Sequence, residues 1–287
     1  MLRFAPSPNG YLHIGHALSA LANRQMADAL DLPLTLRLED IDRSRARPQF
    51  EAAIVDDMSW LGIGWTPPMR RQSEHMAAYQ AAMDGLRARN LVYPSFSTRR
   101  EIASTLRDPG VARDPDGAPL FPGDEHIIGI EETQRRRRTD APAAWRLSMT
   151  AAASTCEDLA VTVTDAAGVP RSTLSTDPLA WGDVVLARKD TPTSYHLSVV
   201  VDDAVQSISH VVRGADLLAA TAVHKVLQSL LGLPTPLYHH HRLILGADGR
   251  KLSKSNGAAS LKALRENGVS AADVLQKISA FTAGPAR

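Results

Sequence analysis

The sequence predicts an α/β protein in which a parallel sheet is interrupted by an inserted subdomain and followed by a short helical region. Two observations predict this class. Strand and helix patterns alternate over the first 92 residues, as they do in β-α-β units. Between about Tyr93 and Pro192 the chain becomes rich in Pro, Gly, Asp and Arg, and regular patterns return at Tyr195.

The opening segment predicts the first β-α-β unit. Leu2–Ala5 is a short apolar run ended by turn-forming residues, and apolar residues then recur at helical spacing from Ile14 to Leu30. Leucines alternate with other residue types from Leu32 to Glu39, which is the period of a strand. Amphipathic helices are predicted near Phe50–Leu61 and Met76–Leu86.

The region after Tyr195 predicts the remainder of the sheet. The predicted elements are strands at His196–Val201, Ile208–Val212 and Arg242–Leu245 and a helix at Leu217–Leu231. The predicted boundaries are residues 1–92 for the first half of the sheet domain, 93–192 for the insertion, 193–236 for the second half, and 237–287 for a polar loop and short helical region. The loop, Arg250–Asn256, follows a turn at Asp248-Gly249.

Composition excludes several classes of protein. The 287 residues are 44% hydrophobic, enough for a substantial core. The sequence shows neither a membrane-span window of about 20 apolar residues nor the apolar stretch of a signal peptide, so we expect a cytoplasmic protein. The single cysteine, Cys156, can form neither an internal disulfide nor a thiolate zinc cage.

Charge does not by itself indicate a nucleic-acid-binding protein. The chain has 32 Lys and Arg against 31 Asp and Glu, a net charge of +1, so any RNA binding must come from local patches. The one obvious patch is Arg135–Arg138. It is equally compatible with contacts to phosphates and with a solvated charged face.

Two imidazoles and a glycine precede and open the first predicted helix, at His13, Gly15 and His16. A helix N-terminus offers unpaired backbone N–H groups and a positive dipole end, which suit a phosphate, and Gly15 lets a nucleotide approach the backbone. Both histidines can donate hydrogen bonds to phosphoryl oxygens. Considered alone, such a histidine pair is more often structural.

Lys251 and Lys254 place two ammonium groups on the polar loop near the other end of the chain. Cations of this kind suit a departing pyrophosphate, because adenylyl transfer depends on positioning and on neutralising the charge that builds on the leaving group. Considered alone, this segment would be an exposed polar turn.

Together these segments resemble the two signatures of class I aminoacyl-tRNA synthetases, the HIGH sequence and the KMSKS loop. The matching residues are His13-Ile14-Gly15-His16 and Lys251-Leu252-Ser253-Lys254-Ser255. Segments that resemble the glutamyl-tRNA synthetase group are Arg3–Pro8, Leu38–Asp42, Val200–Asp203 and Val212–Gly214. The resemblance covers nearly the whole chain. It implies a Rossmann-like catalytic domain with Mg·ATP as a substrate, ATP contacts from His13, Gly15, His16 and Lys254, and a catalytic set of His13, His16, Lys251 and Lys254.

The resemblance also implies where glutamate binds. The family's amino-acid pocket corresponds here to Arg3, Phe4, Ala5, Pro6, Ser7, Glu39, Tyr195 and Arg213. Arg3, Tyr195 and Arg213 are assigned to the side-chain carboxylate. Glu39 and Ser7 are assigned to the amino group. Glutamine should be a poor substrate, because an uncharged analogue leaves buried arginines unpaired.

The resemblance narrows further to one branch of the family. Only 32 residues follow Ser255, too few for the helical anticodon-binding domain of a glutamyl-tRNA synthetase, and Val199 replaces the asparagine that is usual in those enzymes. The similar branch activates glutamate without tRNA and esterifies the queuosine base of tRNA(Asp). The expected partners are therefore glutamate, ATP and queuosine-containing tRNA(Asp), with no obligate protein partner.

Three alternatives remain open. The first is a conventional glutamyl-tRNA synthetase without its C-terminal domain, which would charge the 3′ end of tRNA(Glu). The second is a non-catalytic tRNA-binding paralogue, for which degraded signatures would be expected. The third is another class I-like nucleotidyltransferase, which would not need Arg3, Glu39, Tyr195 and Arg213 together.

The insertion departs from the zinc-binding pattern that is frequent in that branch. Ser95 and Ser97 stand at the two positions of a Cys-x-Cys pair, and Phe121 and Glu125 at the two further ligand positions. Neutral serines are poor zinc ligands, and phenylalanine has no donor atom. We therefore expect an insertion without metal.

Overall fold

The computed structural model describes residues 1–108, 110–246 and 259–283. Its strands are β1 (Leu2–Phe4), β2 (Leu34–Leu38), β3 (Arg70–Arg71), β4 (Val92–Ser95), β5 (Ala144–Leu147), β6 (Ala160–Thr164), β7 (Pro170–Ser175), β8 (Val185–Ala187), β9 (His210–Gly214) and β10 (Leu237–His241). Its α-helices are α1 (Ile14–Ala29), α2 (Pro48–Trp60), α3 (Met76–Ala88), α4 (Arg99–Thr105), α5 (Asp124–Ile128), α6 (Ile130–Arg138), α7 (Met149–Ser154), α8 (Tyr195–Val205), α9 (Thr221–Leu230), α10 (Leu261–Glu266) and α11 (Ala271–Ala283).

A parallel sheet organises the fold. Strand β1 pairs with β2, β2 with β3, and β9 with β10, all in parallel. Strand β9 lies beside β1, where the backbone N–H of Ser209 donates to the carbonyl of Met1 at 2.9 Å. The resulting order, β3-β2-β1-β9-β10, is that of a doubly wound, Rossmann-like sheet. The predicted α/β class is confirmed.

Helices cover the central strands of this sheet, β1, β2 and β9, whose residues are almost all buried. All five residues of β2 are buried, and Leu34, Leu36 and Leu38 share one cluster with α1 and α2. The same cluster includes Val274 and Ile278 of α11, so the C-terminal helix packs onto the sheet domain through apolar side chains. Within the described residues, no helix is long and apolar enough to cross a membrane.

The segment between β3 and α8 contains its own antiparallel sheet, of order β4-β5-β8. The other two strands of the segment, β6 and β7, form an antiparallel pair that is not part of that sheet. Strand β6 instead runs beside β10, with Val163 opposite Tyr238, and so extends the edge of the parallel sheet. The segment is thus attached to the sheet domain through backbone pairing.

The arginine run of α6 is divided between two environments. Arg135 binds Glu132, and Arg136 binds both Glu132 and Glu101. Arg137 and Arg138 are exposed at the end of the helix. Half of the run therefore closes ion pairs within the insertion.

Two predicted strands are wrong. His196–Val201 belongs to helix α8, whose residues from Leu197 to Asp203 are all buried; a short, continuously apolar run has no period that separates a strand from a buried helix. Arg242–Leu245 is not a strand either, because the strand is β10, Leu237–His241, just before it. In β10 three consecutive histidines hide the strand, because they show neither an apolar run nor an alternation of apolar and polar residues.

Asp202 joins α8 to three neighbouring segments. Its buried carboxylate accepts hydrogen bonds from Arg70 Nε at 2.9 Å, Gln72 Nε2 at 2.9 Å and the Tyr79 hydroxyl at 2.8 Å. Such a group stabilises a fold only while its partners are present, because an unpaired buried charge or donor is costly. The contacts fix α8 against β3 and α3.

We predict that Asp202→Asn lowers the free energy of unfolding by about 3–5 kcal/mol, because the amide cannot neutralise Arg70 and cannot accept from every donor. Asp84→Asn is the matched control. Asp84 also accepts from an arginine, Arg87, but its side chain is 58% exposed, so a loss of about 0–1 kcal/mol is expected. Urea unfolding measures both variants, and equal losses would contradict the assignment.

Candidate active site

A cleft of about 270 Å³ lies at the carboxyl ends of the parallel strands. Nearly all of the sequence-predicted site residues meet in it: Arg3, Phe4, Ala5, Pro6, His13, Gly15, His16, Glu39, Tyr195 and Arg213. Open α/β sheets bind ligands at this edge. The prediction did not include further lining residues, among them Asn23, Asp216, His241 and Arg242.

Ser7 is the one predicted pocket residue of the described chain that does not line the cleft. Its side chain is exposed, and its backbone carbonyl accepts from the N–H of Asn9 at 2.9 Å, which turns the chain away from the sheet. The predicted contact of Ser7 with an amino group stays a prediction. The turn formers Pro6, Pro8 and Asn9 explain why the segment leaves the cleft here.

The two histidines form the N-terminal cap of α1. His13 Nδ1 accepts from the N–H of Gly15 at 3.1 Å, and His16 Nδ1 accepts from the N–H of His13 at 3.1 Å. Because each Nδ1 is an acceptor, the proton of each neutral ring is on Nε2. A Cβ on residue 15 would lie 3.0 Å from the His13 ring, so any other residue would require the imidazole to shift by a few tenths of an ångström.

A buried carboxylate, Asp203, holds two arginines under the cleft. It accepts from Arg3 Nε at 3.1 Å and from Arg37 Nη1 at 2.8 Å. Burial opposes ionisation of Asp203, but the two guanidinium groups outweigh it and hold the pKa of the carboxyl below its usual value. Asp203 is therefore charged and shared between two cations.

Glu39, at the end of β2, is one of two acids that line the cleft; the other is Asp216. Its side chain is 12% exposed, and Oε1 lies 3.7 Å from Arg37 Nη2. Burial raises the pKa of Glu39 to about 7, because the loss of hydration exceeds the attraction of Arg37 and Arg3. Its charge thus changes near neutral pH.

Arg213 has a different environment from Arg3. Its three guanidinium nitrogens contact His240 Nε2 at 3.3 Å, His224 Nδ1 at 2.9 Å and Thr221 Oγ1 at 2.7 Å. Sequence reasoning missed these three partners. The available signal was the polar spacing of α9, where Thr221 and His224 lie on one helix face amid apolar residues.

The predicted Lys251 and Lys254 lie outside the described residues. The chain on either side of that segment reaches the cleft. Ile244 lines it, and Ser260 forms a backbone bridge with His13, next to the hydrogen bond from the Leu261 N–H to the Leu12 carbonyl at 2.8 Å.

A second and larger cleft, of about 780 Å³, lies between the sheet domain and the insertion. Tyr195 lines both clefts. Charged residues of both signs line the second, including Asp42, Arg99, Asp183, Arg188 and Lys189. Its size and position suit a ligand much larger than an amino acid.

The four positions at which zinc ligands were considered form no ligand set. A carboxylate that sequence reasoning did not consider, Asp124, accepts from the Ser95 hydroxyl at 3.1 Å, the Ser97 hydroxyl at 2.5 Å, and the backbone N–H groups of Phe96 and Ser97 at 2.7 and 2.9 Å. The guanidinium of Arg146 covers the Phe121 ring at 3.8 Å. Glu125 is exposed. These residues do not fit a metal ion, because the serine hydroxyls donate inward to a carboxylate.

This fold, with two imidazoles at the first helix and a cleft of arginines and two acids at the strand ends, defines a nucleotide-dependent synthetase catalytic domain. The chain belongs to the family of class I tRNA synthetases (E and Q), catalytic domain, whose pattern it matches over residues 1–285.

Individual relatives agree with this membership. A glutamyl-Q tRNA(Asp) synthetase of Rhodobacter capsulatus is 44% identical over 286 residues, with 96% of this chain and 98% of the relative covered. A glutamate–tRNA ligase 2 of a Methylobacterium species is 38% identical over 93% of this chain and 57% of its own length. The crystal structure of the glutamate-tRNA synthetase from Elizabethkingia anophelis superposes with a TM-score of 0.71 at 26% identity, covering 89% of this chain and 52% of that one.

We predict that Glu39 makes folding less favourable as the pH rises. With a folded pKa of about 7 and an unfolded value near 4.5, the native state binds more protons between these values, so the free energy of unfolding falls with pH across that window. The steepest slope is roughly 1.4 kcal/mol per pH unit. In Glu39→Gln this component should vanish from denaturant unfolding measured between pH 5 and pH 7, and a slope identical to that of the native protein would refute the prediction.

Proposed function

We propose that this chain activates glutamate with ATP and transfers it to the queuosine base of tRNA(Asp). The composition of the cleft supports the activation of glutamate. Arg213 is a buried cation held by neutral side chains, and Glu39 is an acid in the same cleft. A carboxylate and an ammonium on one small molecule complement these two groups.

In the proposed first step, the α-carboxylate of glutamate attacks the α-phosphate of Mg·ATP, the bond to the β-phosphate breaks, and glutamyl-adenylate and pyrophosphate form. His13 and His16 direct Nε2–H donors and the α1 N-terminus at phosphoryl oxygens. Lys254, with Lys251, offsets the charge of the departing pyrophosphate. Arg3, Tyr195 and Arg213 hold the side-chain carboxylate, and Glu39 and Ser7 take the amino group.

In the second step, a hydroxyl of the acceptor attacks the activated carbonyl, an ester bond forms, and AMP leaves. The second cleft supports this step, because Tyr195 lines both cavities and the acceptor could thus reach the adenylate. Arg99 and Arg188 add cations for phosphates along its wall.

The choice of acceptor rests on sequence similarity. The relative at 44% identity is named glutamyl-Q tRNA(Asp) synthetase, and it matches this chain over nearly its full length. Val199 follows Tyr195 by one helical turn of α8 and is 2% exposed, so this position offers no hydrogen-bonding side chain. Charging of tRNA(Glu) is the second candidate, because relatives named glutamate–tRNA ligase match at 38% and 34% identity.

Labelled glutamate tests the proposal. With ATP it should enter tRNA(Asp) that contains queuosine, and neither tRNA(Asp) without queuosine nor tRNA(Glu). Glutamate-dependent exchange of pyrophosphate into ATP, without any tRNA, should accompany it. Label on the 3′ end of tRNA(Glu) would replace this proposal with the second candidate. No exchange at all would overturn the activation step.

We also propose that the insertion folds without zinc. The hydrogen bonds to the Asp124 carboxylate take the place of metal ligation. Elemental analysis should find well under one zinc per chain, and a chelator should leave the thermal unfolding midpoint unchanged. Asp124→Asn should lower the free energy of unfolding by about 1.5–3 kcal/mol, since a charged hydrogen-bond acceptor is lost. Glu125→Gln, at the exposed neighbouring position, is the control. One tightly bound zinc per chain would contradict the proposal.

A further inference from the structure

The guanidinium of Arg213 is surrounded by neutral acceptors, and we propose that His224 and His240 are positioning residues that set the preference of the cleft for a carboxylate over an amide. The inference rests on the proposed activation of glutamate and deepens it. It assigns the specificity to two residues that act through Arg213.

The hydrogen bonds of Arg213 leave a defined set of donors. A guanidinium has five N–H groups. Nε donates to His240, Nη1 contacts His224 Nδ1, and Nη2 donates to Thr221, so each terminal nitrogen keeps one further N–H. Two such donors match the two oxygens of a carboxylate. The side chain is 5% exposed and therefore cannot satisfy them with bulk water.

The histidines around Arg213 accept because they are neutral. An arginine only donates, so His224 Nδ1 carries no proton, and His224 Nε2–H points to His196 Nδ1 at 3.3 Å. Burial, reinforced by the charge of Arg213, lowers the pKa of His224 well below its usual value and the pKa of His240 to about 3. Both rings therefore stay uncharged at neutral pH.

Arg3 differs from Arg213, whose hydrogen-bond partners are all neutral. Arg3 shares the charge of Asp203 with Arg37, so its own charge is already offset within the protein. Among the residues that the structure describes, no carboxylate forms an ion pair with Arg213. Its other close contact is the Tyr238 ring, 5.3 Å from the guanidinium carbon. Asp216 lines the same cleft but forms no ion pair with Arg213, so the guanidinium is not neutralised by direct contact with an acid.

An acid at either histidine position would remove this property. It would hold Arg213 in place at least as firmly, but it would neutralise the cation before any substrate arrived. Glutamate would then lose its advantage over glutamine, although the shape of the cleft would be unchanged. Substitutions of matched size can therefore separate the effect of the orientation of Arg213 from the effect of its charge.

The test uses glutamate-dependent pyrophosphate exchange by the full chain, with KM measured separately for glutamate and ATP. His240→Gln keeps a neutral acceptor near the Nε2 position, His240→Glu replaces it with an anion of the same length, and His240→Leu removes the acceptor. We expect KM for glutamate to rise about 10- to 100-fold in the Glu variant relative to the Gln variant, the range of one charge-assisted hydrogen bond. The Leu variant should rise too, and KM for ATP should stay within about threefold in all three.

A second pair of variants, at His224, makes the result independent of a folding defect in any single variant. His224→Asn and His224→Asp compare a neutral and a charged acceptor near the Nδ1 position, and the Asp variant should show the same rise in KM for glutamate relative to the Asn variant. If the Gln and Glu variants, or the Asn and Asp variants, have equal KM values for glutamate, the inference is wrong. A native protein without glutamate-dependent exchange would instead refute the proposed function, so the two failures are distinguishable.

Discussion

The ionised carboxylate of Asp203 is the interaction on which the cleft depends. It comes from α8 and binds the guanidinium groups of Arg3 and Arg37, which belong to neighbouring strands of the sheet. Without it, two cations would be buried side by side at the strand ends, which no hydration shell could offset. Helix α8 supplies both Asp203 and Tyr195. The same helix therefore positions one side of the pocket and neutralises the arginines beneath it.

This arrangement divides the arginines of the cleft by environment. Arg37 is fully buried and forms a bridge between Asp203 and Glu39. Arg3 shares the same acid, whereas Arg213 has only neutral partners. Sequence alone gives these residues the same chemistry. Their different electrostatic environments arise from which helices pack behind them, α8 in one case and α9 in the other.

Much of the sheet domain could be predicted because its patterns are local. The leucines of β2 alternate, and α1 shows helical spacing after a run of turn formers, so both elements follow from sequence. Helix α8 could not, because burial on every side removes the amphipathic period. The pocket residues followed from motif resemblance. The partners of Arg213 and the role of Asp124 required three dimensions, since each joins segments that are distant in sequence or lack a motif.

The cap of α1 has a consequence for how the sequence can change over evolutionary time. The imidazole of His13 bonds the helix backbone through one nitrogen and presents the other at the cleft. Under the proposed function, selection for a folded helix and selection for ligand binding therefore fall on the same side chain. A replacement by asparagine could preserve one contribution and lose the other, whereas most replacements lose both at once. Tolerance to mutation at this position is low for two independent reasons, and loss of activity there does not by itself distinguish between them.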